Sequence, residues 1–212
     1  QYILKTGSAG NDPYVVWFLP GMAMWQCIND TVMSASASIR TYSYLVKKVV
    51  FPVDIIPIIS IIASSFVAMF LFVVAIVVSC LFNYVPNFLQ VIYIIVAAYA
   101  FMISFTRFTS AVTTLVPDFA QLLGILMQLF FWFTPVVWNL SMLSNHPTIL
   151  KIMKCMPFNY LVSGFRDAFI SSNIVTEGHY IYTIVFWIIT TFMFIWGNYI
   201  FKQQDKNTLL NK

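Results

Sequence analysis

The sequence predicts an all-α, polytopic membrane protein, and three observations support this prediction. Of the 212 residues, 60% are hydrophobic and only 8% are charged, whereas a soluble domain carries about 25% charged residues to keep its surface in water. The apolar residues form about five runs near the length that a helix needs to cross a bilayer. Proline, asparagine and aspartate separate the runs, as is typical of turns. We expect a single transmembrane domain over residues 1–212.

The five predicted spans are residues 14–34, 55–82, 88–106, 119–138 and 180–201. The second has about 28 residues, roughly 42 Å of helix, which exceeds a hydrocarbon core of roughly 30 Å. It must therefore tilt or begin in the interface. The sequence NYVPN at residues 83–87 predicts a tight link after it. Asp118 is the predicted cap of the fourth span, because an aspartate side chain accepts hydrogen bonds from free helix N–H groups.

The positions of lysine and arginine predict the orientation, because these residues concentrate in cytoplasmic links. The larger group comprises Arg40, Lys47, Lys48, Arg107, Lys202, Lys206 and Lys212, and the smaller one Lys5, Lys151, Lys154 and Arg166. Placing the larger group in the cytoplasm also places the C-terminus there. Residues 1–13 would then lie outside, and one further span upstream would give six spans with both termini cytoplasmic.

Residues 35–51 form the predicted cytoplasmic link between the first two spans. Lys47 and Lys48 would hold this link at the inner membrane surface, and Pro52 and Pro57 mark the point where it turns into the membrane. Two interpretations stay open at this stage. The link is either a simple positively charged anchor or a short helix along the membrane that docks onto a soluble partner.

Residues 139–179 are too polar for a clean span and too apolar for a free loop. Two short helical patterns meet in them at Met156 and Pro157. We expect a pair of re-entrant or interfacial helices on the outer face. A further span is the alternative, but Lys151, Lys154 and Arg166 would make it costly.

The sequence contains no catalytic or metal-binding pattern. His146 and His179 lie 33 residues apart without the spacing that a metal site needs. The seven glycines form no phosphate-binding loop, so any ATP chemistry belongs to another polypeptide. No basic run with interleaved aromatic residues predicts a nucleic-acid groove. We therefore expect no enzyme active site, no metal and no cofactor in this chain.

Polar and aromatic side chains recur on one face of two predicted spans. They are Phe18, Met22, Trp25 and Asn29 on the first span, and Gln121, Gln128 and Trp132 on the fourth. Such stripes can line a path for sugar, because rings stack on the apolar face of a pyranose while amides bond its hydroxyl groups. Helix packing, with amides bonding across helices, is the alternative interpretation.

Asp30 is the one acidic residue well inside a predicted span. It lies about 24 Å along the first helix, where an uncompensated charge is costly. Arg40 and Arg107 are candidate partners from the same side of the membrane. We expect Asp30 to belong to an inner vestibule or to serve as a purely structural acid that reaches water.

Three segments carry a resemblance to a known family. They are YLVKKVVFPVDIIPI at residues 44–58, FFWFTPVVW at 130–138 and MPFNYLVSGFRDAFI at 156–170. In order and spacing they resemble the permease subunits of type-2 ATP-binding-cassette exporters of lipid-linked polysaccharide, such as teichoic-acid and O-antigen exporters. That resemblance implies six spans and a coupling helix containing Arg40, Tyr42, Lys47 and Lys48. It also implies outer gate helices containing Pro157, Arg166 and Asp167.

The resemblance further implies a mechanical role in the bacterial cytoplasmic membrane. Two copies of the chain would form a channel, and a separate ATPase subunit, which binds ATP and magnesium, would drive it. The cargo would be a polysaccharide on a polyprenyl carrier, such as teichoic acid, O-antigen or a capsule-like glycan. Export of a drug or small lipid is the first alternative. A membrane transferase is the second, although its chemistry needs clustered acids and those of this chain are scattered.

Overall fold

A computed structural model describes residues 13–42, 55–116, 118–143, 145–170 and 180–210. Within these ranges it contains seven α-helices, one short 3-10 helix and no β-strand. The α-helices are α1 (Tyr14–Thr41), α2 (Ile55–Leu81), α3 (Phe88–Leu115), α4 (Phe119–Phe133), α5 (Pro147–Cys155), α6 (Pro157–Ile170) and α7 (Tyr180–Leu210), and the 3-10 helix is Leu140–Leu143. The predicted all-α fold is confirmed.

Three helices are long and apolar enough to cross a membrane. They are Ile55–Leu81, Phe88–Leu115 and the part Tyr180–Ile200 of α7. Most of the apolar surface of α2 and α7 is exposed, as expected of helices that face lipid. The protein is therefore a polytopic membrane protein. The helix α1 has 28 residues but is more polar than these three helices, and α4 has only 15 residues. For both, a membrane crossing stays a prediction.

The helix α1 lies at the centre of the bundle, packed against α2, α3 and α6. Because α1 is surrounded by other helices, its buried residues include both large apolar ones such as Met24 and Ile28 and hydroxyl-bearing ones such as Ser36. Hence its lower hydropathy reflects its central position, since polar side chains in membrane proteins face the bundle interior.

The link between α2 and α3 is tight, as predicted. Asn83 adopts a positive φ of 64°, and the N–H groups of Asn83 and Tyr84 donate to the carbonyls of Cys80 and Ser79. This is a Schellman turn, in which one left-handed residue closes the end of a helix. Asn87 then caps α3 by accepting a hydrogen bond from the Gln90 N–H. The chain thus reverses direction within a few residues.

Successive long helices run in opposite directions and define two ends of the bundle. At the short-helix end, the Tyr14 hydroxyl donates to the Val137 carbonyl at 3.3 Å, and the Asn87 N–H donates to the Ala168 carbonyl at 2.8 Å. The link end is the opposite one, where α1 and α3 end and α2 and α4 begin. The side of the membrane that each end faces stays a prediction.

Four helices end several residues away from the ends of the predicted spans. The helix α1 continues to Thr41 rather than ending at 34, so residues 35–41 of the predicted link are helical, and α7 continues to Leu210 rather than ending at 201. The helix α3 continues past Thr106 to Leu115, because the hydroxyl groups of Thr106, Thr109 and Thr113 bond to carbonyls one turn back and satisfy themselves within the helix. Arg107 therefore lies inside α3 rather than in a link after it.

The helix α4 ends at Phe133 rather than at 138. Thr134 precedes a proline and is extended, with φ −77° and ψ 132°, as expected from the restriction that proline places on the residue before it. Asp118 occupies the N-cap position of α4, but its side chain makes no capping hydrogen bond. The predicted capping role of Asp118 is wrong, since its backbone is already helical, with φ −72° and ψ −14°.

The short helices α5 and α6 meet at Met156 and Pro157, as predicted, whereas their re-entrant or interfacial position on the outer face stays a prediction. Met156 is extended, with φ −69° and ψ 129°, and separates them. Ten of the 14 residues of α6 are buried, whereas Met153 alone is buried in α5. The helix α6 is therefore an internal element, wedged between α1, α3 and α7.

Candidate functional site

A pocket of about 350 Å³ lies between α1 and α4. It is lined by Met22, Trp25, Gln26, Asn29 and Met33 of α1, and by Gly124, Met127, Gln128 and Phe131 of α4. On each helix these positions recur every three or four residues, so each set forms one stripe. The two stripes face each other across the pocket.

The pocket combines aromatic, thioether and amide groups. Trp25 is buried, and its ring packs on Phe131 at 5.6 Å and on Phe158 at 5.8 Å between centroids. One edge of the pocket is therefore anchored in the core. Gln26, Asn29 and Gln128 add amides from both helices, which can donate and accept hydrogen bonds at once.

The predicted stripes coincide with the pocket only in part. Four of the predicted residues line it, namely Met22, Trp25, Asn29 and Gln128. Phe18 lies outside and stacks on Tyr14 at 5.5 Å between centroids. Gln121 and Trp132 are exposed on α4 and do not line the pocket.

Sequence reasoning missed five lining residues: Gln26, Met33, Gly124, Met127 and Phe131. On α1, the positions three, four and eleven residues after Met22 are Trp25, Gln26 and Met33. Helical periodicity could therefore have identified Gln26 and Met33. On α4, nearly every residue is apolar. The face turned to the pocket can be identified there only from the packing.

Asp30 lies next to the pocket and is held by one of its amides. The Gln26 Nε2 group donates to Asp30 Oδ1 at 2.9 Å. Arg107, a predicted partner of Asp30, instead donates to Asn198 Oδ1 and lies over the Phe194 ring. The side chain of Arg40 lies outside the described part of the chain.

A buried arginine joins three elements at the short-helix end. From α6, the Arg166 Nε group donates to the Trp17 carbonyl at 2.9 Å, and Nη2 donates to the carbonyls of Pro135 and Val136, each at 3.0 Å. The guanidinium also lies 3.7 Å from the centroid of the Trp17 ring. Gly21 of α1 leaves the space for it, since a Cβ at that position would overlap Nη2.

Burial lowers the pKa of Arg166 to about 10, an effect that Asp167 and Tyr14 partly offset. The side chain therefore stays cationic at neutral pH. Carbonyl oxygens and an aromatic face supply the negative partial charges that a buried cation needs. The arrangement holds α6, the start of α1 and the end of α4 together.

The comparisons with known proteins bear on what this bundle does. A family model described as ABC-2 type transporter matches residues 2–170. The chain belongs to the ABC-2 type transporter family. This family consists of membrane permeases of ABC transporters, which work with an ABC ATPase. A comparison with curated proteins gives no match.

The predicted coupling residues of this ABC-2 transporter lie at or beyond the end of α1. Tyr42 follows α1 and is 41% exposed. The backbone of Arg40 lies in the last turn of α1, whereas Lys47 and Lys48 lie outside the described residues. Their predicted role in contacting the ATPase therefore stays a prediction.

The predicted gate residues all lie on α6. Pro157 is its first residue, Arg166 is buried as described above, and Asp167 is exposed. Their gating role stays a prediction. Over the ranges that the structure describes, no group of three or more His, Cys, Asp or Glu side chains could hold a metal ion.

Proposed function

We propose that this ABC-2 transporter exports a polyprenyl-linked polysaccharide outward across the bacterial cytoplasmic membrane. The cargo class includes teichoic acid, O-antigen and capsule-like glycans. The observation that carries the proposal is the pocket between α1 and α4, in which three amides and two aromatic rings meet. The chain supplies the passage, and a separate ATPase subunit supplies the chemistry.

The chemistry of the pocket suits a sliding sugar chain. Gln26, Asn29 and Gln128 can exchange hydrogen bonds with successive hydroxyl groups. The half-buried Phe131 can offer its ring to the apolar side of a sugar, and buried Trp25 supports that ring from the core. Each such contact contributes about 1 kcal/mol, which is weak enough to break and re-form as the polymer moves.

A second copy of the chain would complete the passage. The polar side chains of Gln121 and Gln128 are exposed on α4, beside exposed Leu122, Ile125 and Trp132. Amides facing lipid are costly, because hydrocarbon offers them no hydrogen-bond partner. A homodimer that joins two α4 faces would cover these amides and enclose both pockets.

The drive would come from the link end. In the proposed arrangement the ATPase subunit binds ATP and magnesium in the cytoplasm and contacts the link after Tyr42. Closure of that subunit would move the link, and α1 would transmit the movement to the pocket as a rigid helix. The C-terminus would lie on the same, cytoplasmic side.

Transport in liposomes tests this function. The chain and its ATPase subunit would be reconstituted with a fluorescent oligosaccharide on polyprenyl pyrophosphate, and ATP-dependent movement of the probe would be measured. We expect the double variant Asn29→Ala, Gln128→Ala to lower the rate about thirtyfold, because two hydrogen-bonding groups worth roughly 1 kcal/mol each are lost.

The control is Ile188→Ala on the lipid-facing side of α7, where Ile188 is 62% exposed, and it should transport at the wild-type rate. If the wild-type protein hydrolyses ATP but does not move the oligosaccharide, the proposed cargo is wrong.

One observation favours a second candidate function, export of a smaller apolar molecule. Met22, Met33 and Met127 place three flexible thioether side chains in the same pocket, and methionine adapts to varied apolar shapes. In the same liposomes, ATP-dependent movement of a fluorescent phospholipid without movement of the oligosaccharide would support this alternative.

A further inference from the structure

Gly124 lies in the interior of α4 and lines the pocket. Glycine in a helix interior lowers stability relative to alanine, because it gives up more backbone freedom and buries no side chain. A glycine at such a position therefore has a structural reason, which the surroundings can reveal.

Two other helical glycines show the usual reason, close packing. At Gly21 a Cβ would lie 3.1 Å from Arg166 Cζ and would overlap Nη2. At Gly197 it would lie 3.0 Å from the Phe108 backbone nitrogen. Both positions must be glycine because another group already fills the space.

Gly124 differs from both. The nearest heavy atom to an added Cβ is Met33 Cε at 3.6 Å, which is ordinary van der Waals distance. That atom is the end of a flexible side chain across the pocket. Close packing within the chain therefore does not require glycine here, and what the missing side chain leaves is space in the pocket.

We propose that Gly124 sets the width of the passage between α1 and α4, and that it thereby limits the cross-section of the cargo. The proposal rests on the proposed function, since it takes the pocket as the cargo path. Met33, opposite Gly124, forms the other side of this aperture and can change rotamer as cargo passes. Gly124 is thus a specificity-determining residue for size.

A contact between copies is the competing explanation, because glycines also let membrane helices approach closely. The direction of the missing side chain argues against it. An added Cβ points toward Met33 of the same chain, whereas Ile125, about 100° further around α4, is 62% exposed.

The first experiment is a size series in the full transporter reconstituted with its ATPase subunit. The probes are a linear and a branched fluorescent oligosaccharide on polyprenyl pyrophosphate. We expect Gly124→Ala to move the linear probe within about twofold of the wild-type rate and to slow the branched one. Gly124→Leu should slow the linear probe about tenfold or more, because overpacking of this kind is costly.

The control variant Ile188→Phe adds volume to the lipid-facing side of α7, where Ile188 is 62% exposed, and should leave both rates within about twofold of wild type. If Gly124→Leu moves both probes at the wild-type rate, the aperture is ruled out while the proposed function stands. If the wild-type protein moves neither probe, the proposed function fails, and the second measurement decides the role of Gly124.

The second measurement needs no cargo. In membrane vesicles, the full chain with Cys80→Ser and Cys155→Ser keeps only buried Cys27, and this parent protein gives the background reaction. Gly124→Cys and, as a lipid-facing control on α7, Ile188→Cys would each be treated with a small and a biotinylated methanethiosulfonate. We expect Gly124→Cys to react about tenfold faster with the small reagent than with the large one.

Ile188→Cys should stay near the background, because a thiol in lipid does not ionise. Two results overturn the aperture: a Gly124→Cys protein as unreactive as Ile188→Cys, or efficient oxidative cross-linking of two copies through Gly124→Cys.

Discussion

Arg166 shows how one buried cation can hold several elements of a membrane protein through backbone carbonyls and an aromatic ring. Three carbonyls and the Trp17 ring surround its guanidinium. Two of those carbonyls belong to Pro135 and Val136, where α4 has ended and no helix N–H can reach them. The arginine thus satisfies backbone acceptors that would be costly to leave unpaired in an apolar interior.

The fit between Arg166 and Gly21 yields a stability prediction. Gly21→Ala should lower the free energy of unfolding by about 2 kcal/mol, because the added methyl group forces the guanidinium out of place. In the double variant Gly21→Ala, Arg166→Lys a compact ammonium group replaces the broader guanidinium group. This replacement should relieve the overlap with the added methyl group, so the two losses of stability should not add. Denaturant unfolding in detergent measures both.

Gly124→Ala is the matched control, since its methyl group meets only Met33 Cε at 3.6 Å, and we expect it to raise the free energy of unfolding by about 0.5–1 kcal/mol. Strictly additive losses for Gly21→Ala and Arg166→Lys would contradict the proposed fit.

At the scale of residues, helical periodicity was sufficient to find Met22, Trp25 and Asn29, because a polar or aromatic stripe stands out on a helix that is otherwise mixed. Periodicity was not sufficient to identify Gly124, because the role proposed for this residue depends on the side chain that it lacks. The sequence also could not assign the partner of Asp30, since Gln26 one turn away competes with any distant arginine.

At the scale of elements, α6 is the part that joins the helices of the short-helix end. The Tyr160 hydroxyl lies 3.1 Å from the Tyr93 hydroxyl of α3 and 3.1 Å from the Thr183 hydroxyl of α7. The Trp187 Nε1 group donates to the Tyr93 hydroxyl at 3.2 Å. These bonds form a network in an apolar setting, where a lost partner is not replaced by water.

Removal of the Tyr160 hydroxyl should loosen α6 from α3 and α7. We expect Tyr160→Phe to lower the free energy of unfolding by about 1–2 kcal/mol, since two hydrogen bonds are lost while the ring packing is kept. Amide hydrogen exchange of α6 should become faster. Tyr199→Phe on α7, where the ring is 65% exposed, is the control and should change neither quantity. Equal exchange in both variants would contradict this role for Tyr160.

The existence of the elements was more predictable than their boundaries. Runs of apolar residues identified α2, α3 and α7, and the Met156–Pro157 junction identified the α5–α6 pair. The end of α3 was predicted too early, because a run of polar residues in a sequence is also typical of the end of a span. In α3 the threonine hydroxyls instead donate to carbonyls of the same helix. The early end of α4 depends on Pro135 and on the contact of Arg166 with its carbonyl, which no local pattern contains.

At the scale of the whole molecule, α1 connects the parts that an exporter needs. It contributes Trp17 and Gly21 to the Arg166 cluster and Met22 through Met33 to the pocket. It ends at Thr41, inside the predicted coupling link of residues 35–51. A force on that link therefore acts on the pocket and on α6 through one continuous helix, and Pro20 inside α1 offers a point of bending between them.

Because α1 connects the link to the pocket, the role of the positive charges of the link in transport can be tested. We expect the double variant Lys47→Glu, Lys48→Glu to uncouple the transporter, with ATP hydrolysis retained and ATP-driven export lowered about tenfold or more, because reversed charges weaken docking onto the ATPase subunit. Both rates are measured in the same liposomes. Lys151→Glu, Lys154→Glu reverses an equal charge on α5, at the opposite end of the bundle, and should leave the ratio of export to hydrolysis unchanged. An unaltered ratio in the Lys47, Lys48 variant would show that the link is only a membrane anchor, and α1 would then receive its movement from elsewhere.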